Sequence, residues 1–308
     1  MKRIWPTAFL LVFLSVGAAA AKQSTSADLS VLLADVFARV EDGRPPGAIP
    51  DEMLTRNPQE VLGLLRSYER SPSARVREQA YTLGWRVGRA SNDATVRREV
   101  AARLVSGCGD PEALVWQHAC QHLLSFEETD FSPAAKENIQ RLFHEDPPKP
   151  AVVRLVGVAG LREELPRIGA LVSDKAAHDS SAQSGRWYGT VSWAARLARA
   201  RLGFQEDVPH ILRLVESEKD PVIRVTVLLH DLAYTRQPAA IEVVRQYLDS
   251  EESLPRVKET ALGTKYAQYA IDILAEQLPD CPVLKKYVGA YTEAEVVQAR
   301  EWMRNRPR

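Results

Sequence analysis

The chain has 308 residues, 45% of them hydrophobic, with 40 basic and 40 acidic side chains. That length is ample for a buried core. The balanced charge excludes a nucleic-acid binder that works through a clustered excess of Lys and Arg.

Met1 to Ala21 reads as a secretory signal peptide. Lys2 and Arg3 form the positive start, Ala8 to Gly17 the short apolar stretch, and Ala18 to Ala21 supply small residues at the cleavage positions. Cleavage after Ala20 or Ala21 fits equally well. The apolar and small run, Ala8 to Ala21, is shorter than the roughly 20 residues a spanning helix needs. Lys2-Arg3 is not a twin-Arg pair, and no Cys follows the apolar stretch for lipid attachment. The expectation is an exported protein, periplasmic or secreted, whose mature chain 22–308 lacks a membrane span. Losing Lys2 and Arg3 from 40 basic residues, against 40 acidic ones, leaves a net charge of −2.

Along the chain, Ser71-Pro72, Asp110-Pro111 and Lys149-Pro150 lie 39 residues apart, and each opens a helix-like apolar stretch. A further 39 residues lead to Tyr188-Gly189, and Asp220-Pro221 follows 32 later. A period near 40 implies stacked helix pairs, because one pair cannot bury its own apolar face. Asn57-Pro58 and Ser132-Pro133 repeat the device of an N-cap residue followed by Pro at the first helical position.

Apolar spacing at i, i+3, i+4 fills these stretches, as in Val61, Leu62, Leu65 and Val208, Ile211, Leu212, Val215. No run alternates with period two, so no sheet is expected. The pairs read as 58–69 with 72–89, 93–106 with 111–126, 133–145 with 150–160, 163–173 with 189–202, 206–217 with 221–235, and 239–249 with 257–277. Helices at 26–41 and 293–305 would cap the stack, since an open end exposes apolar surface. Helix 150–160 is apolar nearly all round with Arg154 its one charge, as for a helix buried on every side. Gly157 and Gly160 would permit close approach of a neighbour.

One segment carries a resemblance. Ser71 to Gly84 resembles the second helix of a HEAT-like repeat through Pro72, Val76, Arg77, Ala80, Leu83 and Gly84. Asp220-Pro-Val-Ile-Arg224 matches its opening again, and 111–126 keeps Asp110, Pro111, Val115 and Ala119 with Trp116 where Arg is usual. Over about 57–277 the resemblance implies an all-α fold, a right-handed α-solenoid of about six helix pairs with capping helices. It implies binding rather than a reaction. In such stacks the second helices line the concave surface, which makes Thr82, Gln121, Gly160, Arg199 and Asp231 equivalent polar positions, flanked by Gln79, His118 and Arg196.

The candidate sites are few. His118 and His122 are i, i+4 and share a helix face, but Ala119 stands where a zinc protease needs Glu, and there is no third ligand. His230 and Tyr234, beside Asp231, form a second i, i+4 pair set in an apolar run, which favours packing over acid–base chemistry. The interruption at 174–188 ends in Arg186, Trp187 and Tyr188, planar groups suited to partner recognition. Cys108, Cys120 and Cys281 are an odd set. Cys120 points away from the histidines, and its Cα is expected beyond the roughly 7 Å a disulfide tolerates from Cys108. Three free thiols follow from that expectation.

The resulting reading is a non-enzymatic scaffold that holds another exported protein or a peptide through its groove, with no metal or cofactor. Truncating Trp187 and Tyr188, or reversing Arg196 and Arg199 to Glu, is expected to abolish capture while leaving helicity and cooperative melting intact. The alternatives are an envelope enzyme acting on glycan, which would need converging carboxylates, and a periplasmic inhibitor or immunity protein.

Overall fold

Prolines set the helix starts, though not always at the expected residue. The computed structural model describes residues 26–46, 57–173, 187–254, 263–283 and 288–306. The expected leader and Arg186, with most of the 174–188 interruption, lie outside the described residues. Fourteen helices run through the described residues. They are α1 Ser26–Glu41, α2 Pro58–Tyr68, α3 Ala74–Ala90, α4 Ala94–Cys108, α5 Ala113–Leu123, α6 Pro133–Phe143 and α7 Pro150–Val158. Then come α8 Leu165–Ser173, α9 Val191–Arg201, α10 Asp207–Ser217, α11, α12 Pro238–Asp249, α13 Tyr266–Gln277 and α14 Glu293–Asn305. Helix α11 opens at Pro221–Ile223, passes through a π-helical stretch Arg224–Leu228, and continues as Leu229–Thr235. An isolated bridge between Ser253 and Lys265 is the only β pairing among the described residues, so the fold is all-α.

Ser132 and Asp220 cap as expected: Ser132 Oγ accepts from the Ala135 amide at 3.2 Å, and Asp220 Oδ1 from the Val222 amide at 2.8 Å. Asn57 does not cap α2; its amide nitrogen donates to Glu60 instead. Helices α3 and α5 begin later than expected, at Ala74 and Ala113. The reason is a different use of the residues before the prolines. Arg77 donates to both oxygens of Asp110, at 2.8 and 2.9 Å, and to the Ser71 carbonyl at 2.8 Å. Arg97 does the same with Asp130 at 2.9 Å and the Ser91 carbonyl at 3.2 Å. Both ion pairs span 33 residues and both carbonyls lie six residues back, so one device stitches successive turns of the chain twice. Helix α13 starts at Tyr266, just after the Ser253–Lys265 bridge, with the Tyr266 amide donating to the Glu252 carbonyl, and the expected start near 257 lies outside the described residues.

The Asp110 pair gives stability a definite pH dependence. Burial pushes the Asp110 carboxyl up, but hydrogen bonds from Arg77 and the Glu112 amide outweigh it and hold the group below its ordinary value of 3.8. A depressed carboxylate contributes stability that is full above 3.8 and is lost as pH falls through the lower folded value. Arg77→Ala is therefore expected to cost about 2 kcal/mol at pH 7. It should also flatten the decline of urea midpoint below pH 4, and an unchanged acid limb would rule the pair out as its source.

The helices pack in a regular succession. Helix α3 packs on α1 and α5, α7 on α5 and α9, and α11 on α9 and α13. Five of these also meet a pairing helix: α2 with α3, α4 with α5, α6 with α7, α8 with α9, and α12 with α13, whereas α10 packs on α9 and α12. As its composition foretells, α7 buries Val152, Val153, Leu155, Val156, Gly157 and Val158. Gly157 is the close approach, since a Cβ there would lie 3.0 Å from Ala198 Cα and against the Tyr234 hydroxyl. Gly160 serves differently: it ends α7 with φ +71°, a conformation that favours glycine, under the Glu128 carboxylate. Far-separated parts of this succession also meet. Arg89, at the end of α3, donates to the Ala275 carbonyl of α13 at 2.8 Å across 186 residues, and Arg236 pairs with Glu127 across 109.

Candidate functional site

Two neighbouring helices carry the part of the expected site that stays together. On α3 and α5, side chains 40 residues apart meet in register. Glu78 Oε1 lies 2.6 Å from His118 Nδ1, Thr82 Oγ1 lies 3.0 Å from His122 Nε2, and Trp85 donates to Ser125 Oγ at 3.0 Å. Thr82 also donates to Glu78 at 2.9 Å, so one carboxylate holds both helices. His122 stacks on the Trp85 indole with ring centroids 4.5 Å apart, so it belongs to packing rather than to the solvated face expected of it. His118 keeps a side chain 49% exposed. Gln121 is exposed one turn further along α5, beside exposed Leu114 and Gln117, while Gln79 on α3 is half-buried.

The remaining candidates are drawn inward. Asp231 is only 2% exposed: its Oδ1 accepts from Arg154 at 2.5 Å and its Oδ2 from the Trp193 indole at 2.7 Å. It ties α7, α9 and α11 together and does not face a groove. Arg196 and Arg199 both turn onto Asp207, at 3.3 and 3.1 Å, and Arg199 also lies 4.9 Å from the Phe204 ring centroid. Asp207 is buried, and burial pushes its carboxyl up even against the pull of the two guanidiniums. Reversing Arg196 and Arg199 would strand that carboxylate, so the change is expected to cost stability as well. Trp187 and Tyr188 are half-buried. Trp187 packs edge-on against Trp193 and Tyr188, at 4.7 and 5.6 Å between centroids, and anchors the start of α9.

Tyr234 is the clearest packed residue of the second pair. It is 1% exposed, donates to the Arg154 carbonyl at 2.5 Å, and has its hydroxyl pushed up to about 12 by burial. A phenol so placed neither meets a substrate nor exchanges its proton near neutral pH.

Cys108, Cys120 and Cys281 are free thiols. Cys108 and Cys120 are both buried and close enough for their thiols to interact, yet they stay unbridged, as expected. Gly107 lets α5 sit tight on α4: a Cβ there would fall 2.9 Å from Ala119 Cβ and 3.0 Å from the Tyr81 ring. Burial raises the Cys108 thiol well above its ordinary range. No group of three His, Cys, Asp or Glu side chains that could hold a metal occurs among the described residues. No helix among them is long and apolar enough to cross a membrane.

Sequence reasoning missed the Arg77–Asp110 and Arg97–Asp130 pairs. Their signal is present in the chain as an acid placed 33 residues after an Arg. It missed the Arg236–Glu127 pair as well, which leaves no local pattern. Comparison with protein-family profiles, with curated proteins and with solved structures found no match.

Proposed function

We propose that the chain is an exported α-solenoid of HEAT-like helix pairs that holds a partner protein or peptide segment and catalyses no reaction. The packing succession of α1, α3, α5, α7, α9, α11 and α13, five of them with a pairing helix, supports the solenoid. The 33- and 40-residue spacings of the bonded side chains support it too. Export rests on the Met1–Ala21 stretch.

The docking surface is the α3–α5 face, and the observation that carries it is the contrast in exposure along the succession. Helix α5 presents Leu114, Gln117, His118 and Gln121 to solvent, with Leu114 40% exposed, whereas α7 and α9 are buried on almost every side. His118, held by Glu78, together with exposed Gln117 and Gln121 and an apolar side chain, suits an extended or helical segment laid across two helices. Preformed surfaces bind with less ordering cost.

A photo-cross-linker at Gln121 is expected to trap a defined envelope protein, while one at exposed Val297 on α14 traps none. With that partner in hand, Leu114→Asp combined with Gln121→Arg should weaken binding about thirtyfold, for a contact worth about 2 kcal/mol. The melting temperature should move little, since both residues are exposed. Equal trapping at both positions, or unchanged affinity, would show that the partner uses another face.

A further inference from the structure

Tyr81 on α3 is nearly covered, at 8% exposure, yet its hydroxyl has no hydrogen-bond partner among the described residues. The other buried phenols are partnered: Tyr234 donates to the Arg154 carbonyl and Tyr291 to Asp272. Tyr81 lines a solvent-open cleft of about 530 Å³ between α2 and α4, and it is the one buried residue on that wall. Its ring is fixed from behind by Gly107, where a Cβ would fall 3.0 Å from two ring carbons. The oxygen itself keeps contact with solvent, and the cleft is where it does so. Burial, and then the nearness of Glu69 on the cleft wall, push the phenol up to about 12. The group is therefore a proton donor at neutral pH.

A phenol that has lost most of its water and gained no partner does nothing for the fold that Phe would not do as well. Phe would fill the same space against Gly107. The hydroxyl is thus an unused donor at the bottom of a preformed hollow. A few fixed polar groups of this kind are what orient a ligand in a small-molecule site.

The rest of the wall limits what the acceptor can be. The carboxylates of the cleft are already taken, since Arg103 donates to Glu69 at 3.0 Å, to Glu99 at 2.8 Å and to the Leu62 carbonyl at 2.7 Å. The donors are not. The Arg70 side chain has no partner among the described residues, Arg66 spends one nitrogen on Glu99 at 3.3 Å, and Ser106 is exposed. Three arginines against two carboxylates leave a surplus of one positive charge. One negative charge meets that surplus, and a second would face Glu69 and Glu99. A carboxylate therefore matches the cleft, whereas a phosphate monoester, at about −1.5 to −2 near neutral pH, exceeds it. The volume lies in the range of small-molecule sites, and Ala102 with the Tyr81 ring offers an apolar strip for the body behind the charge.

We propose that this cleft binds a small organic acid bearing a single carboxylate, with the Tyr81 hydroxyl and the Arg70 guanidinium as its donors. The carboxylate accepts from the phenol at the bottom and from Arg70 at the rim, in charge-assisted hydrogen bonds. The cleft shares no residue with the Leu114, Gln117, His118 and Gln121 face, so this site and the docking face can each fail alone.

The test is calorimetric titration of the purified chain near neutral pH with benzoate, hexanoate, phenyl phosphate and the neutral benzamide. At least one of the two monocarboxylates is expected to bind one-to-one with a dissociation constant below about 1 mM. Benzamide should give no saturable heat, and phenyl phosphate should bind at least about tenfold more weakly than the better monocarboxylate. Tyr81→Phe is the deciding variant. It should weaken that monocarboxylate at least about tenfold and leave the melting temperature unchanged, because no bond within the fold is lost. Arg70→Gln should weaken it by a similar factor. Arg98→Gln, on α4 but outside the cleft and bonded to the Ala94 carbonyl, should change nothing. Failure of both monocarboxylates to saturate by about 10 mM overturns the site. So does affinity that Tyr81→Phe or Arg70→Gln leaves intact, and a lowered melting temperature in Tyr81→Phe would make the hydroxyl a structural group instead. Benzamide or phenyl phosphate binding as tightly as the monocarboxylates overturns the single-charge assignment.

Discussion

Asp231→Ala is expected to lower the unfolding free energy by about 3–5 kcal/mol, the cost of breaking a buried ion pair from one side. For a chain of this size that is a fall in melting temperature of about 10 °C. The magnitude follows from what is left behind. Arg154, with 18% of its side chain exposed, would keep its charge inside the helix layer without a counter-ion. The Trp193 indole N–H, bonded at 2.7 Å, would lose its acceptor as well. Because the three residues sit on α7, α9 and α11, the loss loosens three successive helices together. Asp231→Asn should fall between, since an amide oxygen can still accept one of the two bonds. Replacing Arg154 by Met and Asp231 by Leu together should recover the part of the loss due to the stranded guanidinium, while the Trp193 indole stays without its acceptor. A single-variant cost under about 1 kcal/mol would mean that water reaches the pair and makes good the bonds.

Gly157→Val is the second large effect, expected at about 3 kcal/mol from overpacking. The first added atom already lies 3.0 Å from Ala198 Cα and 3.2 Å from its carbonyl oxygen, both backbone, which cannot swing aside. It also meets the Tyr234 hydroxyl, so relief by moving that side chain would break the bond to the Arg154 carbonyl. The two γ-methyls worsen each clash. Urea titration should show a lower midpoint with unchanged slope. Gly63 is the matched control: a Cβ there meets nothing within 4 Å, so Gly63→Ala should be neutral or stabilising within α2. Equal costs at the two positions would show that Gly157 matters for helix propensity and not for the approach of α9.

Local pattern made much of this molecule legible. The i, i+3, i+4 spacing located α2, α4, α10 and α12. The apolar run from Ala151 to Val158 announced a helix covered all round. Thr292 at the start of α14 forms a reciprocal cap with Glu295, as a short-range signal would. Short-range chemistry also misled where a residue had a distant use. Asp110 before Pro111 looks like a cap and does accept from the Glu112 amide, yet both its oxygens also take Arg77, and α5 starts two residues later.

The candidate site divides along the same line. Gln121 and His118 were legible because their solvent exposure follows from one helix and its neighbour. Arg196, Arg199 and Asp231 look equally polar in sequence, but their fate depends on the groups that close over them: Asp207 for the two arginines, and Arg154 and Trp193, 77 and 38 residues away, for Asp231. The nearness of the Cys108 and Cys120 thiols was not legible for a smaller version of this reason, since the gap between α4 and α5 is set by Gly107 facing Ala119 and Tyr81.

By itself, then, the sequence determined the helical class, most helix positions and which faces are apolar, because these depend on the few bonds and side chains within a turn or two. Only the tertiary structure decided which polar residues on those helices reach solvent and which are consumed by partners. Burial of a charge is settled by the groups that close over it. The cleft over Tyr81 exists only because α2, α3 and α4, parts of two successive pairs, converge on one place.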